Sequence, residues 1–134
     1  MLKIIKSIVT LVAVVLFTAF FAVGDAHAST LEVQKIACTN NAGFVMNFYV
    51  DIEGLKTGGS GDYPINQTRT IDVGEYPIGE GFSMKPVVNA VLGKTLAGPS
   101  VIFKRNGQTA TYSVTGTTLI YKICLIGTDE CTNT

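Results

Sequence analysis

Side chains able to perform catalysis are scarce in this sequence. The only histidine, His27, falls within a predicted leader, which excludes Ser-His and Cys-His nucleophilic sites and imidazole-based zinc sites from the remaining chain. Asp51 and Glu53 are spaced by two, so on a strand both carboxylates would share a face, as acid–base catalysis by two carboxylates could use. Because they end a hydrophobic strand just before Gly54, we favour solvated edge residues instead. We therefore expect no enzyme activity, no cofactor and no metal site.

The first 28 residues have the three parts of a secretory signal peptide. Two lysines precede an apolar run over 8–23, and the alanines at 26 and 28 provide a cleavage site of the A-x-A type. The apolar run approaches the roughly 18 residues that span a bilayer, so a retained membrane anchor is the alternative. We favour cleavage after Ala28, because Gly24 and Asp25 separate the apolar run from the cleavage site.

Removing 28 of the 134 residues leaves 106, enough for a single secreted domain over 29–134. That part carries nine acidic and eight basic side chains. Nucleic-acid binding depends mainly on neutralising phosphates, so a nearly neutral domain predicts no nucleic-acid partner.

The three cysteines, Cys38, Cys124 and Cys131, all lie in the exported part, where disulfides persist. An odd number allows at most one bridge within the chain. A bridge between Cys124 and Cys131 would pin the polar C-terminal tail to the domain, but Cys38 could pair with either. We favour a bridge that uses Cys131, because an unbridged tail of this composition would fray.

The remaining chain alternates apolar and polar residues with the period of β-strands. The clearest apolar face is Phe44, Met46, Phe48, Val50 and Ile52. Pro86 cannot donate a ladder hydrogen bond, so its strand should lie at an edge, contain a bulge or be split. The predicted strands cover 31–37, 44–52, 67–73, 82–92, 101–104, 109–114 and 118–126. No helical period is convincing beyond residue 28, so we predict an all-β fold, a two-sheet antiparallel β-sandwich of about seven strands.

The last three predicted strands have short connections. Asn106-Gly107 is typical of a type I′ turn and predicts a hairpin between 101–104 and 109–114. A turn containing Gly116 joins 109–114 to 118–126, whose two faces are both mostly apolar. We therefore expect three consecutive antiparallel strands at the C-terminal end of the domain.

The segment Gly116-Thr117-Thr118-Leu119 resembles the C-terminal β-sandwich of the cholesterol-dependent (thiol-activated) cytolysins. In that family a similar strand-GTTL-strand unit closes the domain, and a Thr-Leu pair at the loop tip recognises membrane cholesterol. The resemblance extends more weakly to 41–45, 70–73 and 84–88. It implies a sterol-binding pair at Thr118 and Leu119. Leu96, in the predicted loop 93–100, would add a second lipid contact if both loops reach the same end of the sandwich.

The sequence also departs from that family. The tryptophan-rich undecapeptide should fall near 91–101, where this chain has no aromatic residue, and the protein contains no tryptophan. The pore-forming domains are absent too, and Ile120 follows Leu119 where the family usually continues with tyrosine and proline. The resemblance therefore implies a fold more strongly than a binding surface.

Together these features favour a secreted, non-enzymatic binding module. The leading hypothesis is that loops 93–100 and 115–119 engage a lipid or sterol membrane. Leu119 could instead face the core. The alternative function is a protein- or glycan-interaction module without membrane binding, which would use Tyr49 and Asn47 or an exposed sheet edge.

Overall fold

The computed structural model describes residues 31–134, and the predicted signal peptide therefore lies outside the described residues. Between 31 and 134 the chain is all β, with one short 3₁₀ turn at Val73–Glu75 and no α-helix. The strands are β1 Glu32–Val33, β2 Lys35–Asn40, β3 Met46–Ile52, β4 Leu55–Lys56, β5 Thr68–Asp72, β6 Ser83–Ala90, β7 Thr95–Ala97, β8 Val101–Phe103, β9 Thr109–Gly116, β10 Tyr121–Leu125 and β11 Cys131–Asn133. None of these residues belongs to a helix that could cross a bilayer.

The strands form two sheets that face each other as a β-sandwich, which confirms the predicted all-β fold class, with eleven strands over 31–134 where about seven were predicted. Sheet A has the order β1-β8-β6-β3-β4, and β7 also pairs with β6. Sheet B has the order β11-β10-β9-β2-β5. Most neighbours are antiparallel, but β1 runs parallel to β8 and β2 runs parallel to β9, so both sheets are mixed.

The predicted first strand, 31–37, is divided between the two sheets. The chain crosses from sheet A to sheet B at Gln34, whose side-chain amide donates to Asp72 Oδ1 at 3.0 Å and whose side-chain oxygen accepts from the Gly107 N–H at 3.0 Å. A continuous period of two does not reveal such a crossing, because both short strands turn an apolar residue inward.

The hairpin predicted at Asn106-Gly107 is wrong. Strand β8 belongs to sheet A and β9 to sheet B, so this turn connects the sheets and does not pair its flanking strands. Only Gly107 adopts a positive φ, 73°, whereas a type I′ turn needs two such residues. The hairpin predicted around Gly116 does form, between β9 and β10.

Strand β6 contains Pro86 and nevertheless lies in the interior of sheet A. Val50, the partner of Pro86 on β3, directs its N–H and C=O away from β6, towards Thr57. Pro86 therefore faces the other side, where β7 pairs with 87–89 and β8 with 83–84. Its missing N–H falls at the gap between these two strands, and its carbonyl accepts from Gly98 N at 2.8 Å.

One hydrophobic core fills the space between the sheets. The predicted face of β3 is confirmed, since Met46, Phe48, Val50 and Ile52 are all buried. The buried Tyr63 hydroxyl is satisfied, because it donates to the Cys38 carbonyl at 2.9 Å. The remaining core side chains come from both sheets and include Ile36, Val73, Met84, Val88, Phe103, Tyr112, Ile123 and Leu125.

Candidate functional site

Two loops lie side by side at one end of the sandwich. Loop 91–94 connects β6 to β7, and loop 117–120 connects β9 to β10. The Lys94 N–H donates to the Thr118 carbonyl at 3.1 Å, so the two loops are joined through their backbones. We call these two loops together the tip.

Three large apolar side chains of the tip are more than half exposed, and Val91 is 37% exposed. Leu92 is 99% exposed, Ile120 is 76% exposed and Leu119 is 57% exposed. An isolated exposed leucine needs no explanation, but several on two joined loops form an apolar patch of the kind that marks interaction sites. The alternative that Leu119 is a core residue is thereby excluded.

Hydrogen bonds and glycines fix the conformation of the tip. The hydroxyl of the buried Tyr121 donates to the carbonyls of Val88, at 3.1 Å, and Lys94, at 2.7 Å, and so ties β10 to β6 and to loop 91–94. A Cβ at Gly93 would overlap the Thr118 carbonyl oxygen, so only glycine permits this approach of the two loops. The contacts that hold the tip therefore involve the backbone and the Tyr121 hydroxyl and none of the exposed apolar side chains.

The structure brings two of the three predicted lipid-binding residues into the tip. Thr118 is half-buried, and Leu119 is exposed. Leu96 lies elsewhere, because Thr95–Ala97 forms strand β7 and Leu96 packs half-buried against the core. The prediction of a continuous loop 93–100 that exposes Leu96 is thus wrong, because this residue lies half-buried on a strand.

Sequence reasoning missed Leu92, the most exposed apolar side chain of the tip. The apolar run 82–92 predicted a strand through this residue, but β6 ends at Ala90. Leu92 adopts a positive φ of 61°, which is unusual for leucine, and Gly93 follows it in the turn. The Leu92-Gly93-Lys94 sequence was the available signal of a turn that interrupts the run.

A groove lies beside the tip on the outer face of sheet B. Its volume is about 250 Å³, and its lining includes Ile120 from the tip together with Thr115, Lys122, Asn133 and Thr134. The only ion pair between residues 31 and 134 joins Lys104 to Glu32, so Lys122 has no carboxylate partner within that range.

The carboxylates considered for catalysis lie at the opposite end of the sandwich. Asp51 Oδ1 accepts from the Gly54 N–H at 2.8 Å, and Glu53 Oε2 accepts from the Ser83 N–H at 3.1 Å. Both side chains therefore stabilise the β3–β4 turn and its contact with β6. Within the described residues no group of three His, Cys, Asp or Glu side chains is placed to hold a metal ion.

The polar face proposed for a protein or glycan partner is largely engaged within the sheet. The Asn47 side chain donates to Asp62 at 2.8 Å and accepts from Asn89 at 3.1 Å. The Lys56 ammonium lies 5.1 Å from the centre of the Tyr49 ring. A ligand on this face would have to displace these contacts.

The cysteines form one bridge, between Cys124 and Cys131 on the paired strands β10 and β11. This pairing agrees with the expectation that Cys131 participates. Cys38 is a buried free thiol, and burial raises its pKa well above the ordinary value, which disfavours the reactive thiolate.

Comparison with protein-family models finds no match, and comparison with curated proteins finds none either. Among solved structures, the chain is similar to a crystal structure of a Gram-negative toxin, with 19% identity and a TM-score of 0.41 over 71% of this chain. It is also similar to pneumolysin, with 14% identity and a TM-score of 0.41 over 68% of this chain. The matches span 23% and 22% of those two chains.

Proposed function

We propose that this protein is a secreted, non-enzymatic β-sandwich module that binds lipid membranes through the tip. The observation that carries the proposal is the exposure of Leu92, Leu119 and Ile120 on two loops joined by the Lys94–Thr118 hydrogen bond. Burying one leucine or isoleucine is worth about 1.5–3 kcal/mol, and each 1.4 kcal/mol changes an equilibrium tenfold. One such side chain gives weak partitioning, whereas three on one rigid tip can support stable adsorption.

Sterol is the first lipid component to test. This choice depends on the sequence resemblance of 116–119 to the cholesterol-dependent cytolysins, in which a Thr-Leu pair contacts cholesterol. The Thr118 hydroxyl would supply a polar contact and Leu119 an apolar one. The tip has no tryptophan, the side chain best suited to the membrane interface, so aliphatic insertion must provide most of the binding free energy.

Liposome flotation tests this function. The full chain, purified from the exported fraction, is mixed with phosphatidylcholine vesicles with and without cholesterol. We expect flotation, stronger with cholesterol, and its loss when Thr118 and Leu119 are both changed to glycine. Because Leu119 is mostly exposed, thermal unfolding of this variant should stay close to that of the wild type.

Unchanged flotation of the double variant would refute the site. Equal flotation with and without cholesterol would refute the sterol preference and keep the lipid-binding function. Failure to float with any vesicle would refute membrane binding and favour the alternative, a protein or glycan partner.

A further inference from the structure

Three polar side chains form one cross-strand row on the outer face of sheet B. Lys122 on β10 is paired with Thr115 on β9 and with Asn133 on β11. Directly paired residues on neighbouring strands have Cβ atoms about 4.5–5.5 Å apart. The row therefore presents an ammonium flanked by a hydroxyl and an amide, which together can donate several hydrogen bonds to one anionic group.

This row lines the groove beside the tip, and Ile120 of the tip lines the same groove. Thr134, which also lines the groove, is held to β10. Its N–H donates to the Tyr121 carbonyl at 3.1 Å, and its hydroxyl accepts from the Tyr121 N–H at 3.2 Å. The lining of the groove thus combines the apolar Ile120 with the cationic, hydrogen-bonding row. An amphiphilic anion fits this combination better than a purely polar one.

The acidic side chains of the domain lie mainly away from the groove. Of the nine between 31 and 134, eight are on turns or strand ends at the opposite end of the sandwich. The exception, Asp62, is hydrogen-bonded to Asn47 of sheet A. The two exposed lysines nearest the tip, Lys94 and Lys122, have no ion-pair partner within the same range. The tip end therefore has few acidic side chains that could neutralise these two lysines.

The depth of the groove matches the position of lipid headgroups. Lys122 follows Ile120 by two residues, which is about 6–7 Å along a strand. The headgroup layer of a bilayer is about 5–7 Å thick on each side of the hydrocarbon. With Ile120 at the hydrocarbon boundary, Lys122 would lie among the phosphates.

We propose that the groove formed by Thr115, Ile120, Lys122 and Asn133 binds the phosphate of an anionic phospholipid. This inference rests on the proposed function, because insertion of the tip is what brings the groove to headgroup depth. A lysine near an anionic surface contributes about fivefold to binding, and ionic strength screens this gain.

The first test measures flotation with phosphatidylcholine–cholesterol vesicles and with vesicles in which part of the phosphatidylcholine is replaced by phosphatidylserine. We expect wild-type protein to bind the anionic vesicles about fivefold more tightly or better, with the difference falling as salt is added. Lys122→Gln should lower this ratio by about fivefold and leave only the contribution of Lys94. Lys56→Gln, at an exposed lysine at the opposite end, should keep the wild-type ratio.

A second test needs no membrane. Short-chain phosphatidylserine below its micelle concentration is titrated into labelled protein while backbone amide NMR shifts are followed. We expect shifts centred on Thr115, Lys122 and Asn133, and much weaker ones with inorganic phosphate.

The two tests distinguish the possible failures. Equal binding to neutral and anionic vesicles, or a wild-type ratio in Lys122→Gln, would overturn the headgroup site and leave membrane binding intact. Equal shifts with inorganic phosphate would overturn the lipid as the ligand. Shifts with the short-chain lipid but no flotation would support the groove and overturn membrane insertion.

Discussion

Replacing Leu92 by serine is the sharpest test of the tip. The side chain is 99% exposed, so it contributes almost no packing to the folded state. If the whole side chain enters the bilayer, its removal costs about 1.5–3 kcal/mol of binding free energy. At 1.4 kcal/mol per factor of ten, Leu92→Ser should weaken vesicle partitioning by roughly ten- to hundredfold.

The matched control is Leu55→Ser. Leu55 is 63% exposed on β4, at the opposite end of the sandwich from the tip. Both substitutions remove an exposed leucine, and both should change the free energy of unfolding by no more than about 0.5 kcal/mol. Only the Leu92 substitution should weaken partitioning, measured by titrating vesicles against a fixed protein concentration.

Two results would refute this reasoning. Partitioning of Leu92→Ser within about twofold of the wild type would show that loop 91–94 does not enter the bilayer. An equal loss for Leu55→Ser would show that general surface hydrophobicity, and not the tip, drives adsorption. Thermal unfolding of both variants must accompany the binding data, because an unfolded protein also adsorbs to lipid.

Three further predictions follow from the geometry. Cys131→Ser opens a bridge with a sequence separation of 7 and should lower the free energy of unfolding by about 2.4 kcal/mol in urea titrations. Gly93→Ala places a Cβ against the Thr118 carbonyl, so it should destabilise the protein by roughly 1–3 kcal/mol and also weaken vesicle binding. Burial raises the pKa values of Cys38 and three tyrosines, so stability should be constant up to about pH 9 and fall at higher pH.

The free energy of unfolding falls at high pH because the unfolded chain releases protons that the folded protein retains. The unfolded chain loses these protons near the ordinary pKa values, 9.0 for cysteine and 10.0 for tyrosine, whereas the folded protein retains them to higher pH. Alkali therefore favours the unfolded state. A free energy of unfolding that stays level from pH 7 to 11 would contradict this account, and Cys38→Ala should start to lose stability at a higher pH than the wild type.

The predictions for Cys131→Ser and Gly93→Ala each have a matched control. A reducing agent should destabilise the wild type but not Cys131→Ser. Gly59→Ala should be nearly neutral, because the nearest atom to its new Cβ is the Phe48 carbonyl oxygen at 3.9 Å. Stability of Gly93→Ala equal to that of Gly59→Ala would show that the two loops can separate without cost.

Local periodicity was sufficient to predict the central strands. The buried side chains of β3 alternate without interruption, and β9 and β10 pair around Gly116 as expected. Periodicity could not show where the chain changes sheets. At Gln34 and at Asn106-Gly107 the connections depend on side-chain hydrogen bonds between distant segments, which leave no local pattern.

The candidate site was predicted only in part, again because pairing between distant strands leaves no local pattern in the sequence. The resemblance of 116–119 favoured a loop over 115–119, whereas periodicity predicted a strand from 118 onward. The strand in fact begins at Tyr121, so Ile120 in the loop was not expected. The sequence could not show that Leu92 is exposed and Leu96 is half-buried, because both lie in apolar stretches interrupted by small residues. Strand β7 decides between them: its pairing with 87–89 turns Leu96 towards the core and leaves Leu92 in the preceding turn.

The same fold that exposes the tip also holds the groove together. Cys124 and Cys131 form the next outward-facing pair along β10 and β11 from Lys122 and Asn133, so the disulfide fixes the two strands immediately behind the groove. Without it, the edge strand β11 would be held by three residue pairs with β10, the Thr134–Tyr121 hydrogen bonds and the Thr132–Ala97 hydrogen bond. Reduction should therefore weaken the preference for anionic vesicles more than binding to neutral ones, because insertion of Leu92 and Ile120 does not depend on β11.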